Sequence, residues 1–131
     1  MQGAGADDGA WGVNRATFDN LIESDLNAYL RDLRNEKEAE YADPNSDTLL
    51  NFHRMGPFYG MAPSQYCMVL LGKHIQGISN QVMRGKWLWA YRTEDGGEGL
   101  KQRIADSINY LSLLFALLHE EAEGQSCSKP T

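Results

Sequence analysis

The stretch from Ile108 to Leu118 is apolar on nearly every side of a helix, with Asn109 and Ser112 as its polar breaks. A helix with no face to give to water belongs at the centre of its fold and needs neighbours on several sides. At eleven residues the stretch is far short of the roughly 20 that a membrane span takes. The 131-residue length suits one hydrophobic core. The neighbours must therefore come from the same chain or from another copy of it.

The remaining apolar pattern supplies candidates. Phe18, Leu21, Ile22, Leu26, Tyr29 and Leu33 recur at three- and four-residue spacing, which predicts a first helix over about 17–40. Asp43-Pro44 ends it, because a residue before proline avoids the helical region. Ser46 or Asp47 then caps a short helix carrying Leu49, Leu50, Phe52 and Met55, and Gly56, Pro57 and Gly60 mark a turn. Pro63, favoured at a first helical position, opens a third helix to about Met83. Residues 85–99, with Trp87, Trp89 and Tyr91, read as a loop that packs aromatics. A fourth helix covers about 98–121. The fold class is all-α, a four-helix bundle-like domain over 14–123, with a flexible leader at 1–13 and a flexible tail at 124–131. The all-round apolar stretch adds homo-oligomerisation to the expectation.

Charge narrows the function. A formal net charge of -6 and a pI near 4.9 argue against broad binding of a nucleic-acid polymer, which needs a basic face. The start of the chain lacks the basic and apolar regions of a signal peptide. Cys67 and Cys127 are too few for a disulfide framework and show no zinc spacing. No membrane partner is expected, and the setting is cytoplasmic. No phosphate-binding GxxxxGK[ST] or GxGxxG occurs.

Three groups of residues can carry chemistry. Lys73 lies inside the third helix beside Tyr66, Val69, Leu70 and Gly77. It can snorkel, pair with a carboxylate, or offer its ammonium to a phosphate. His74, in line with Cys67 and Ile78, reads as a satisfied core histidine. Asp106 stands beside Arg103 and Tyr110 where a polar helix turns apolar, so its carboxylate should be paired with Arg103 or Lys73, or bound to a metal. Asn109 adds a polar group one turn on. Glu36, Glu38, Glu40, Asp43 and Asp47 gather at the end of the first helix, as Mg²⁺ ligands or as a solvated helix end.

The run Lys37-Glu38-Ala39-Glu40-Tyr41-Ala42 resembles the K-x-x-D/E-Y-G signature of phage and bacterial nucleotide-modification-associated proteins, themselves similar to the all-α MazG-like nucleotide pyrophosphohydrolases. Asn51-Phe52, then Lys73, then Asp106 with Asn109-Tyr110 follow in that family's order, over about 30–120. The resemblance implies an oligomeric helical bundle and Mg²⁺-dependent attack of water on a nucleoside triphosphate. Glu40 and Asp106 would be the catalytic, metal-side acids, with an acid near Asp43 or Asp47 orienting water. Lys73, Arg103, Asn109, Tyr110 and Tyr41 would contact the ligand. Where the family has E-x-x-D the chain has Arg103-x-x-Asp106, the first helix has no E-x-x-E, and Ala42 replaces the signature glycine. Three readings follow: a nucleotide hydrolase, a non-catalytic nucleotide-binding or sequestering module such as a phage counter-defence protein, and a helical oligomer that only binds partners.

Overall fold

The computed structural model describes residues 12–41 and 49–128, with side chains over 12–36 and 49–124. The leader before residue 12, the proposed Ser46 and Asp47 caps, and the side chains of Glu38, Glu40, Tyr41, Asp43 and Cys127 lie outside the described residues. The chain divides into two compact units, Met1–Glu40 and Tyr41–Thr131, where the sequence reads one helical domain. Among the described residues the regular structure is helical, and Arg92 with Glu98 forms an isolated β-bridge. None of these helices is long and apolar enough to cross a membrane.

The first unit is built on α1, a continuous run of Arg15–Asn20, a π-helical turn Leu21–Leu26, and Asn27–Tyr41. Asn14 caps it, its side chain accepting from the Thr17 amide at 2.8 Å. Within the run, the Asn27 amide donates to the Ile22 carbonyl, the five-residue step of a π turn.

The second unit holds α2 (Leu50–Phe58), α3 (Pro63–Arg84) and α4 (Leu100–Ser128). Helix α2 passes through Pro57, where the sequence reads a turn. Gly56 explains the difference: without a Cβ it escapes most of the clash that keeps a pre-proline residue out of the helix. Its bare backbone also meets the start of α3, where a Cβ would lie 3.0 Å from the Pro63 Cα. Helix α3 begins at Pro63 and ends at Gly85, whose φ of 75° is the left-handed cap that glycine adopts without strain. Helix α4 continues to Ser128, past the expected start of the tail at 124. Gly124 weakens a helix by about 1 kcal/mol but does not by itself end one.

Helices α3 and α4 are antiparallel. Cys67 Sγ donates to the Tyr110 carbonyl at 3.5 Å, Gly77 lies under Arg103, and Ser64 meets Glu121. The Ser64 amide and hydroxyl donate to the two Glu121 carboxylate oxygens at 3.0 and 2.6 Å, so α4 caps the first turn of α3. Glu121→Gln should lower stability by about 0.5–2 kcal/mol in denaturant titration, because the charge facing that helix end is lost.

Leu49, Phe52, Cys67 and Leu117 form the buried centre, with Tyr66, Leu70, Tyr110, Leu113 and Leu114 packed around them. Phe52 meets Tyr66 and Tyr110 edge-on, with ring centroids 6.1 and 6.4 Å apart. His53 Nε2 lies 2.7 Å from Glu120 Oε1. These contacts put α2 on one flank of the α3–α4 pair. The central stretch of α4 is thus buried on one side only: Leu117 is 0% exposed and Phe115 is 77% exposed.

The loop between α3 and α4 is tied down by its backbone. The carbonyls of Leu88 and Ala90 accept from the amides of Leu100 and Lys101 at 3.0 and 3.2 Å, serving as the N-terminal cap of α4. Gly99 is required there, since a Cβ would overlap the Ala90 carbonyl. The aromatics are less packed than expected: Trp87 and Trp89 stay half-exposed, and Lys101 Nζ sits over the rings of Trp89 and Tyr91 at 5.6 and 5.0 Å.

Candidate functional site

Polar side chains gather at the middle of the α3–α4 contact, where two apolar helices would be expected to close on each other. Tyr110 faces His74, with ring centroids 5.1 Å apart and planes tilted by 32°. One turn towards the start of α4, Gln102 Nε2 donates to Asp106 Oδ1 at 2.9 Å. Arg103 crosses to α3 and lays its guanidinium over Gly77, where an added Cβ would stand 2.7 Å from Nη1. A glycine inside a helix costs about 1 kcal/mol relative to alanine. Here it opens room for a cation between two helices.

Two nitrogens of this cluster have no hydrogen-bond partner among the described residues although both are buried: His74 Nδ1 and Arg103 Nε. A buried polar group without a partner costs about 1–3 kcal/mol, so such atoms mark a strained spot or a ligand's place. The sequence placed His74 correctly, in line with Cys67 and against the core, but it read the ring as satisfied.

Lys73 lies seven residues on from Tyr66 and so on the same flank of α3, at the level of Asp106 in the antiparallel pairing. Its side chain is exposed, not laid along the apolar stripe, because that stripe runs through Cys67, Leu71 and His74. Asn109 and Asp106 are half-buried on the matching flank of α4. Lys73, Arg103, Asp106, Asn109 and Tyr110 therefore fall in one region of the second unit. Glu40 and Tyr41 are placed in α1 as backbone only. Sequence reading missed Gly77 and Gln102. The available signal was a helical glycine one turn after His74, on the helix that faces Arg103.

Burial, the charge of Asp106, and the neighbouring Cys67 and Tyr66 together raise the Tyr110 phenol above its ordinary value near 10. Tyr110 is thus a neutral hydroxyl at pH 7, able to donate or accept a hydrogen bond. Burial likewise raises the Cys67 thiol, so it is a packing group and not a ready nucleophile. A raised folded-state value favours the native protein up to about pH 10 and withdraws that support as pH climbs through the folded value. Alkaline denaturation should set in less steeply in Tyr110→Phe, checked by melting temperature against pH above 9.

As a metal site the region is poor. No group of three or more His, Cys, Asp or Glu side chains able to hold an ion occurs among the described residues. Asp106 brings one carboxylate, already engaged by Gln102. No family model, no curated protein and no solved structure matches the chain.

Proposed function

We propose that the α3–α4 seam of the second unit binds the phosphate of a small ligand, a nucleotide, and holds it without cleaving it. The observation that carries this reading is the pair of buried nitrogens without partners, Arg103 Nε and His74 Nδ1, in one polar cluster. A guanidinium matches phosphate geometry and gives charge-assisted hydrogen bonds. Lys73 adds a mobile positive charge at the rim, Tyr110 and Asn109 add neutral hydrogen-bonding groups, and Tyr110 offers an aromatic ring near the base.

The hydrolytic version follows the resemblance to MazG-like enzymes, with Mg²⁺ held by Glu40 and Asp106. One described carboxylate is a weak basis for it, so binding is the preferred reading. The same reading makes the protein a cytoplasmic homo-oligomer, in the host cytoplasm where the chain is phage-encoded.

The test is a panel of nucleoside mono-, di- and triphosphates, each with and without Mg²⁺, followed by melting temperature and product release together. A rise in melting temperature without turnover supports the binder. Turnover that requires Mg²⁺ shifts the reading to the hydrolase. No shift and no turnover removes the nucleotide altogether and leaves a helical interaction protein.

A further inference from the structure

Helices α3 and α4 carry few charges where they meet. Asp106 is the one carboxylate of α3 and of α4 before Glu120. Lys73 and Arg103 are the cations of the same region. Of the other two on these helices, Lys101 holds its Nζ over the rings of Trp89 and Tyr91, and Arg84 stands about 10 Å beyond Gly77 in the last turn of α3. His74 adds a ring nitrogen rather than a fixed charge. The seam therefore holds two fixed positive charges and one negative charge.

The negative charge is held in place. Gln102, 3% exposed, donates to Asp106 Oδ1 from one turn earlier at 2.9 Å, which ties the carboxylate to its own helix. Burial first, and the Asp106 charge second, push the Tyr110 phenol up, so the field of that carboxylate reaches the ring beside His74. The unpartnered donors are few and close together. His74 and Gly77 stand one turn apart on α3, about 5–6 Å between side-chain positions, and Arg103 lies over Gly77. Arg103 Nε donates to a phosphate oxygen, and His74 Nδ1 does so when it carries the ring proton. These two nitrogens serve the oxygens of a single phosphate group.

The helices close on both sides of them. Cys67 Sγ meets the Tyr110 carbonyl at 3.5 Å, and Gly77 lies against Arg103. Along α4 these two contacts are seven residues, about 10 Å, apart, with Asp106 between them. A second phosphate joined to the first must run past Asp106 or turn out to solvent.

We infer that the seam accepts one phosphate group, as in a nucleoside monophosphate, and discriminates against a polyphosphate. The inference rests on the phosphate reading given above and names its ligand class. A single phosphate, with about 1.5–2 negative charges at pH 7, is matched by Arg103 and Lys73. Each added phosphate brings more negative charge to a place where Asp106 faces it. Among the described residues no cluster of acids recruits a metal to offset that charge. Like charges repel more strongly in a partly buried site than in water. The resulting order is the reverse of that at a plain basic patch, where attraction grows with ligand charge.

Calorimetric titration of the full chain without Mg²⁺ tests the inference. The probes are the mono-, di- and triphosphates of the four common ribonucleosides, with inorganic phosphate and pyrophosphate. The tightest monophosphate should bind about tenfold more strongly than its own triphosphate, a difference of about 1.4 kcal/mol, and phosphate more strongly than pyrophosphate. Asp106→Asn should narrow the gap several-fold, and Arg103→Met should weaken mono- and triphosphate alike. Should Asp106→Asn fail to fold, the ranking by the unaltered chain decides alone. Affinity that rises from mono- to triphosphate, or stays level, overturns the inference and leaves the phosphate reading standing. So does a gap that a folded Asp106→Asn leaves unchanged. Inorganic phosphate that binds as well as any monophosphate, and better than pyrophosphate, upholds the inference while removing the nucleotide. Silence from every compound overturns both.

Discussion

Leu117→Ala should lower the unfolding free energy by about 2–5 kcal/mol, the range for emptying a closed core site of a leucine side chain. Leu117 of α4 is fully buried against Leu49 and Phe52 of the α2 segment and Cys67 of α3. Collapse onto the cavity would need α2 and α3 to move together towards α4, so little of the cost is recovered. Small domains have only about 5–15 kcal/mol of stability in all, and the loss should be plain in urea titration. Val69→Ala makes the contrast: Val69 is 47% exposed on the outer side of α3, and surface changes of this kind stay within about 0.5 kcal/mol.

Arg103→Met should weaken nucleotide binding by about 10- to 100-fold, the equivalent of about 1.5–3 kcal/mol for hydrogen bonds to a charged group. Methionine keeps the apolar stem that packs at the helix contact and removes the guanidinium. Because Arg103 Nε lacks a described partner, removing it should leave the melting temperature level or slightly raised. Gly77→Val should reproduce the affinity loss by another route, since its side chain takes the space of the guanidinium. Asp106→Asn separates the mechanisms. In a binder it changes affinity modestly, with or without Mg²⁺. In a metal enzyme it abolishes turnover while metal-free binding survives. A fall in stability with unchanged affinity would make Asp106 a structural partner instead.

Much of the helical layout was legible because its signals are local. Pro63 and Gly85 bracket α3, and their roles depend on residues next to them in sequence. The Asn14 cap of α1 and the continuation of α2 through Pro57 were missed. The second depends on a glycine relaxing a proline's demand, two local rules in competition. The continuation of α4 past residue 124 was missed because residues 124–131 carry no apolar spacing to mark a helix.

The site was legible in part. Arg103, Asp106, Asn109 and Tyr110 stand on adjoining faces of one helix, so their grouping needs helical geometry alone. The roles of His74 and Gly77 depend on which residue of α4 stands opposite each, and that register is set by packing, which spacing within α3 cannot show. Lys73 was read as lying on or beside an apolar stripe because Tyr66, Val69 and Leu70 share its side of the helix. The buried stripe is centred elsewhere, on Cys67 and Leu71. The half-exposed Trp87 and Trp89 show the same limit, since a hydrophobic residue's exposure depends on what the rest of the chain leaves uncovered.

The central claim, that the α3–α4 seam holds a phosphate, is tested most directly by two-dimensional NMR of the labelled full chain during titration with a nucleoside triphosphate, with and without Mg²⁺. Saturating shifts should concentrate on the His74 ring, the Gly77 amide, the Arg103 side chain and the Asn109 amide, and should vanish in Arg103→Met. A spectrum unchanged at millimolar nucleotide, or shifts that gather elsewhere and persist in Arg103→Met, would contradict it.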